Sequence, residues 1–531
     1  MTYLLSIAIG PVQDFIAAAR RCRDLWYGSR LLSEVSKAAA KSLAEMDARL
    51  IFPAPVNDRD LEPDTDFTVV NKLLAVVDTE DIRAVANAAR EAAQERLEEA
   101  AAVRALRLRG LEVDWDRYEA QLKGILEFSA AWTAYTKHDT ARSRVEELMA
   151  GRKALRDFRP YQGVEGEPKS SLDGMREHVI RRRSERLYQS NLKSNEWLDA
   201  IGIVKRFGGG YAPFDSTLDV ASGPYVVGRR IHQREVMQRY DRFIRDHGLQ
   251  DATYSLLYRH ESRQIFEDDE VEQGELEEIR SLLGEPNPPY YAFLVGDGDK
   301  MGRAIGRIAN GGEHRAFSLQ LSEFAGEARK VIAKEYQGCP IYCGGDDVVA
   351  LLPLHTALAC ARRVSEVFRE SMKAYDVTFS AGLVVAHALE PLTEVREWAR
   401  SAEGTAKNRG DRDALCVSVH PRSGPDVTVV GKWSELPGLL DSLIELYLDK
   451  EKKFSYGLAH EFRDIVERTR DWKELHGAVP DMARAVARKK DCASEAVKLV
   501  ERHAASWEGL ERLCRAMLAA RPFARARKEA S

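Results

Sequence analysis

The sequence is short of several things, and each shortage excludes a class of protein. Seven cysteines in 531 residues, an odd number thinly spread, give no disulfide framework. Cys339 and Cys343 bracket one apolar segment, but a single C-x3-C lacks the second ligand pair of a structural zinc site. No stretch approaches the roughly 20 apolar residues of a membrane span. The opening MTYLLSIAIGPVQDF has no basic lead of the kind a secretory signal carries. Neither charge is in excess: 79 Lys+Arg stand against 84 Asp+Glu, a formal net of −5. That balance argues against an autonomous, strongly basic nucleic-acid binder. No G-x-x-x-x-G-K-[ST] phosphate loop occurs. What remains is a reducing, cytoplasmic, multidomain protein with no membrane partner.

The composition itself is that of large globular cores under a solvated surface, 44% apolar and 31% charged. At about 150 residues per domain, the length suggests three or four domains. Residues 3–9 read as a buried strand stopped by Gly10-Pro11. A helical pattern follows from Val12 towards Met46, with a break expected at Gly28-Ser29. Leu50–Phe52 and Phe67–Val77 are of strand type, and a long Ala/Glu/Arg-rich helix starts with Asp78 or Thr79 as its cap.

Residues 111–285 are mainly helical in pattern, interrupted at 160–174 and at Gly208-Gly209-Gly210. Arg181-Arg182-Arg183 is the densest basic run there, read first as a solvated face. The acidic run at Asp268-Asp269-Glu270 and Pro286-Asn287-Pro288-Pro289 mark a boundary.

Residues 290–421 spell strand (Tyr290–Val295), helix (314–335), hairpin (Ile341–Cys343 and Val348–Leu352), helix (355–374) and strand (Val377–Val385). Helix 392–408 and strand Leu415–Val419 follow, and the whole is the βαββαβ grammar of a ferredoxin-like unit. The N-terminal stretch opens in the same order, so two copies of one fold are expected. From Trp433 on, the pattern is helical and ends in RPFARARKEA, expected to fray. The expected architecture is α+β and multidomain: two ferredoxin-like (βαββαβ) domains, a helical insert and a C-terminal helical domain. The boundaries fall at 1–110, 111–285, 286–422 and 423–531.

Two short motifs carry the chemistry. Gly296-Asp297-Gly298-Asp299 stands where a buried strand emerges, and Gly344-Gly345-Asp346-Asp347 stands at a hairpin turn. A βαββ unit sets its first strand beside the hairpin, so these carboxylates converge on one sheet edge. Carboxylates packed that closely repel one another unless a cation neutralises them. Hard oxygen donors suit Mg²⁺ or Mn²⁺, and two such ions clamp both oxygens of an in-line phosphoryl transfer. Gly344 and Gly345 are expected to supply positive φ and to leave room for a triphosphate. Gly298 is expected to offer its carbonyl to the metal shell. Lys407, on the last helix of the unit, is a candidate phosphate contact. Gly296, Gly298, Gly302 and Gly306 have the wrong spacing for a dinucleotide loop. His138-Asp139 lacks the further partners of a metal phosphohydrolase.

IGPVQDFIAAARRCRDLWYGSRLLS, FLVGDGDKMG and YCGGDDVVALLP together resemble the large catalytic subunit of type III-B CRISPR effector complexes, the Cmr-type CRISPR polymerase family. VVNKLLAVV, IVKRFGGGYAPFDSTLDVA and AEGTAKNRGDRDALCVSV extend the resemblance over essentially the whole chain. It implies two palm-like domains, the second converting ATP to cyclic oligoadenylate second messengers when the complex binds target RNA. Other type III-B subunits and a guide RNA are the implied partners. Carried over motif by motif, Asp297, Asp346 and Asp347 become the metal ligands and catalytic carboxylates. Gly344, Gly345, Gly298, Asp299 and Lys407 then stand beside the nucleotide.

Three departures from the family pattern shape the expectation. The chain begins at the palm strand, so the histidine–aspartate nuclease domain of many members, and its DNA cleavage, are not expected. The two C-x-x-C pairs of a zinc knuckle are replaced by Ser170, Asp173, Asp199 and Gly202, so no zinc is expected. The N-terminal copy has Ile9-Gly10-Pro11-Val12 where the second has Gly-Asp-Gly-Asp, which makes it a degenerate palm that walls an ATP site without metal ligands. Gln13 and Asp14 are candidates to face that cleft. Two other readings stay open: a catalytically silent scaffold of the same RNA-guided complex, and an adenylyl transferase with a different acceptor.

Overall fold

The structure is a computed structural model. It describes all residues except 13–14, 17, 102–110, 124, 156–162, 184–191, 193–195, 209–214, 248, 250–253, 259–269, 453, 470, 472–476 and 491. Gln13, Asp14, Gly209-Gly210 and Asp268-Asp269 therefore lie outside the described residues.

The first sheet grows around β1 (Thr2–Gly10), whose residues Leu4–Ile9 are all buried. Helix α1 (Cys22–Glu45), β2 (Arg49–Phe52), β3 (Lys72–Asp78) and α2 (Ile82–Ala101) follow. After the short β4 (Leu111–Val113) come β5 (Glu127–Ala134) and α3 (His138–Ala154). β1 pairs antiparallel with β3, from Thr2↔Asp78 to Ala8↔Lys72, and with β5, from Tyr3↔Ala134 to Gly10↔Glu127. The strand order is β2-β3-β1-β5.

The expected end of this unit at 110 is therefore corrected, because its fourth strand comes from 127–134. β5 is an edge strand with a single fully buried residue, Trp132's neighbour Ala131, so its apolar signal is weak. The expected break at Gly28-Ser29 is absent, and α1 runs straight through it. Gly28 serves a close approach instead: a Cβ there would stand 3.2 Å from Lys205 Cε. The cap of α2 is Asp81, whose carboxylate accepts the N–H groups of Arg83 and Ala84, both at 3.0 Å.

In the insert, β6 (Ile180–Arg183) pairs with β4 in a two-stranded sheet. Helix α4 (Ala200–Phe207) is buried at every residue. Helix α5 (Thr217–His232) starts at a capping box between Ser216 and Asp219 and crosses to the second sheet.

The second sheet repeats the first and extends it. Its strands are β7 (Tyr290–Asp299), β8 (Cys339–Gly344), β9 (Asp347–Pro353), β10 (Thr378–His387), β11 (Ala414–Val419) and β12 (Val427–Lys432). The order is β12-β11-β10-β7-β9-β8, so β10-β7-β9-β8 reproduces β5-β1-β3-β2. β11 adds in parallel to β10, and β12 closes the edge antiparallel, beyond the boundary expected at 422. Helices α6 (Gly311–Lys330), α7 (Leu354–Ser371) and α8 (Leu392–Asn408) cover it. Phe324, Phe368 and Phe379 meet at ring-centroid distances of 4.9, 5.2 and 6.0 Å in its core.

The two halves interlock reciprocally. α1 packs on β8, and α6 packs on β2. The C-terminal helix α9 (Trp507–Ala530) lies against the same core as α7. Its basic tail does not fray: Phe523, Ala524 and Ala526 are buried, and Arg527 pairs with Asp441 at 2.8 Å. Among the described residues no helix is long and apolar enough to cross a membrane.

Candidate active site

The site forms where β7 leaves the sheet. β7 is central, with Asp297 opposite Ser380 on β10 and Gly296 opposite Val348 on β9. That register brings the β8–β9 turn, Gly345 and Asp346, beside Asp297. One carboxylate oxygen from each of Asp297, Asp346 and Asp347 lies within 4.8 Å of the others. Asp297 and Asp346 are half-buried and Asp347 is exposed, so the cluster opens to solvent at the floor of a crowded rim.

Burial and then the Asp297 carboxylate push the pKa of Asp346 well above the ordinary carboxylate range. Asp347 is raised in the same direction: protein packed around its carboxylate desolvates it although the residue as a whole is exposed, and the Asp346 and Asp297 charges add to this. Three hard oxygen donors, with neither thiolate nor imidazole among them, fit a divalent cation of the magnesium or manganese kind.

The glycines divide the labour differently from expectation. Gly345 alone has a positive φ, +61°, as the tight turn requires. Gly344 is there for space: a Cβ would stand 2.5 Å from the Tyr342 hydroxyl and 2.9 Å from Thr68 Cγ2. Gly298 likewise lets the hairpin close, since its Cβ would stand 2.9 Å from Asp346 Cβ.

Lys407 reaches the cluster because α8 lies unusually close to the sheet. A Cβ on Gly382 of β10 would fall 2.5 Å from the Glu403 backbone nitrogen. The face α8 turns to the sheet there carries Ala399, Ala402 and Ala406. Lys407 and Glu403, one helical turn apart, therefore stand over Asp297. The Lys407 ammonium donates to the Asp297 carboxylate and lies 2.7 Å from Glu403. Burial alone would lower the Lys407 pKa, but these two carboxylates hold it above the ordinary lysine value.

Asp299 does not join the cluster. It is 1% exposed, and its oxygens accept from Ser380 Oγ, Thr378 Oγ1 and the Asp413 N–H at 2.8–3.1 Å. That last bond anchors a run of three left-handed residues, Asp411, Arg412 and Asp413. The structure places Asp299, expected beside a nucleotide, as a buried anchor, because it is closed off from solvent and three donors hold its oxygens.

The first half walls the site. Thr68 and Val70 stand against the Gly344-Gly345 turn, and Arg329 of α6 donates to Thr68 at 2.8 Å. In the first sheet the equivalent strand end, Ile9-Gly10 of β1, carries no acid of its own, and the carboxylate nearest Gly10 among the described residues is that of Glu127 on β5. The Asn71 amide donates to the Ile9 carbonyl at 3.3 Å, and the Ile9 N–H donates to the Asn71 carbonyl at 2.8 Å.

The charges of that half are instead buried and balanced. Arg206, on α4 and fully buried, donates to Asp24 at 2.6 and 2.9 Å and to Glu196 at 2.8 Å. Arg21 donates to Glu196 at 3.0 Å. Lys205 donates to the Phe15 carbonyl and, at 2.8 Å, to that of Ala18. Sequence reading missed this network, Glu403 and Thr68; the Glu403–Lys407 spacing was the one local signal available.

Ser170 and Asp199, two of the positions standing where a knuckle would hold cysteine, meet through hydrogen bonds. Ser170 Oγ donates to Asp199 Oδ1 at 3.4 Å, and the Gly202 N–H donates to the same oxygen at 2.9 Å. Among the described residues His138 joins no metal-ligating cluster, and its Nε2 lies 3.1 Å from Nδ1 of His314 on α6.

Residues 290–416 match the family model for the second palm domain of Cas10/Cmr2, and residues 4–102 match that for the N-terminal part of the CRISPR-associated protein Cmr2. The CRISPR system Cmr subunit Cmr2 of Pyrococcus furiosus is 26% identical over 580 aligned positions covering 85% of this chain. The chain spans 65% of that relative's length. Among solved structures, the apo state of type III-B Cmr-beta superposes with a TM-score of 0.63 at 12% identity, over 92% of this chain and 77% of the other. The same assembly bound to cognate target RNA gives 0.58 at 12% identity, over 92% and 78%. A Csm1–Csm4 cassette in complex with one ATP gives 0.50 at 14% identity, over 98% and 70%. At these identities the structural likenesses show a shared fold, and the family matches fall on the two halves that repeat one strand order. The chain thus carries one region similar to the second palm domain of Cas10/Cmr2 and one similar to the N-terminal part of Cmr2.

Proposed function

We propose that this chain is the nucleotidyl-transferring subunit of a cytoplasmic type III-B CRISPR complex, converting ATP to cyclic oligoadenylates when guide RNA in the complex pairs with target RNA. The observation that carries the reading is the convergence of Asp297, Asp346 and Asp347 within 4.8 Å at a turn bare of side chains. The relatives support it: the Cmr-beta assembly is seen with target RNA, and Csm1–Csm4 cassettes with ATP and with pppApApA.

Asp297, Asp346 and Asp347 would hold two divalent ions, Mg²⁺ or Mn²⁺, which when bound supply charge stabilisation to the phosphoryl oxygens. Gly344 and Gly345 leave the triphosphate its path, with Thr68 and Val70 as the opposite wall. Lys407 offers a point charge to phosphate. In the reaction, a 3′-hydroxyl oxygen bonds to the α-phosphorus of ATP, the α–β phosphoanhydride breaks, pyrophosphate leaves and the hydroxyl proton passes to water. In this reading residues 286–422 with β12 form the catalytic palm and the first sheet is its catalytically empty twin.

The test is mass spectrometry of products from the assembled complex given ATP, Mn²⁺ and target RNA. Cyclic oligoadenylates that vanish in Asp346→Ala/Asp347→Ala support the reading; identical products from both proteins overturn it.

A further inference from the structure

Lys407 is a cation already seated where a metal would sit. Its ammonium bonds Asp297, one of the three clustered carboxylates, and lies 2.7 Å from Glu403. The three side chains keep 24%, 30% and 17% of their surface open to solvent for Lys407, Asp297 and Glu403 respectively, so the contact can exchange. Four carboxylates, Asp297, Asp346, Asp347 and Glu403, face this one ammonium. Among the described residues no other cation forms an ion pair with them. The pairing is also asymmetric. Glu403 lies on the same helix as Lys407, one turn away, and follows it wherever the helix goes, whereas Asp297 belongs to the sheet.

We propose that Lys407 is a resident counter-ion that must leave Asp297 before a divalent cation binds there, and that Glu403 is the positioning residue that retains the displaced ammonium and aims it at the nucleotide's phosphates. The proposal rests on the metal-dependent reading above and adds an order of events to it. Lys407 releases Asp297, stays tethered to Glu403, and so meets the triphosphate only in the metal-loaded site. Its geometry makes metal loading and phosphate capture one coupled exchange, with a coupling of about tenfold in affinity expected for a close charge contact of this kind.

The experiment uses the full chain with Mn²⁺ alone, without nucleotide. Mn²⁺ binding is measured by calorimetry, and the reactivity of Lys407 towards an acetylating reagent is followed by peptide mass spectrometry. Mn²⁺ is expected to raise the rate of Lys407 acetylation severalfold, and Asp297→Asn to raise it without metal. In Glu403→Gln the Mn²⁺-loaded protein is expected to acetylate faster than the loaded wild type, because the second anchor is gone. Lys407→Met is expected to bind Mn²⁺ about tenfold more tightly than wild type while losing affinity for ATP. If Mn²⁺ binds and Lys407 acetylation stays unchanged or slows, displacement is wrong while the metal site stands. If wild type binds no Mn²⁺, the metal-dependent reading falls, and this proposal with it.

Discussion

The two halves share a strand order and differ in what they do with charge. In the first half, buried ions come in balance: Arg206 and Arg21 answer Asp24 and Glu196, each within hydrogen-bond distance. In the second half, three carboxylates crowd the end of β7 and a single lysine touches one of them. Balanced burial is what a structural network needs, since an unpaired buried charge costs several kcal/mol. Clustered like charge that a single lysine only partly cancels has the opposite character, and it suits a place that a cationic ligand completes. One strand order thus carries a balanced ion network in one copy and a carboxylate cluster in the other, and the cluster draws on the end of β7 and on the β8–β9 turn.

The largest effect separating the halves is catalytic. Asp346→Ala/Asp347→Ala is expected to lower product formation by at least about 10⁴-fold, about 5 kcal/mol of transition-state stabilisation, in the complex assay. Substitution in the balanced half acts on stability instead. Asp24→Ala leaves Arg206 buried without its closest partner and is expected to cost about 4 kcal/mol, read by chemical denaturation. A cost under about 1 kcal/mol would show that the network is not a structural requirement.

Matched small changes sharpen the contrast further. Gly298→Ala forces a methyl against Asp346 and Met301, both at 2.9 Å, and is expected to lower activity about 100-fold by displacing the hairpin carboxylates. Gly10→Ala, at the equivalent strand end, meets only the flexible Glu127 carboxylate at 3.3 Å and is expected to change stability by less than about 0.5 kcal/mol. Equal losses in the two variants would erase the distinction between the halves. Asp346→Asn removes one of the crowded charges, so the metal-free protein is expected to gain about 1 kcal/mol in thermal or urea unfolding while losing activity.

An effect that only pH reveals lies at the joint between the halves. Burial, His138 and Arg142 push the His314 pKa down to about 4, and burial and Arg142 lower that of His138. The unfolded histidine titrates near 6.5. As pH falls from about 6.5 towards 4, the unfolded chain takes up a proton that the folded chain refuses, so stability falls in that window. A loss of up to about 3 kcal/mol by pH 4, flattened in His314→Gln, is expected in denaturation curves at stepped pH.

Much of this was legible in one dimension because the informative patterns are local. The apolar runs of β1 and β7, the Gly-Gly turn and the periodicity of α8 each depend on neighbours a few residues away. The weaker edge strand β5 was not legible, since its half-buried residues carry little apolar periodicity. Gly28 read as a helix break because the tightest approach there comes from Lys205, 177 residues away in sequence (205 minus 28). Asp299 read as a residue beside the nucleotide because nothing local reveals that Ser380, Thr378 and Asp413 donate to its oxygens. The tail looked free because its partners lie in other helices.

The sequence alone determined the repeated strand grammar and the two acidic motifs, because backbone turns and carboxylate chemistry follow from residue type and spacing. Only the tertiary structure decided which carboxylates meet and which is already bonded. It also decided that Thr68 of the first half walls the second, and that Lys407 sits on Asp297 with Glu403 behind it. Those outcomes turn on sheet register and on how closely a helix of small residues can approach a glycine, and both are set by packing between segments far apart along the chain.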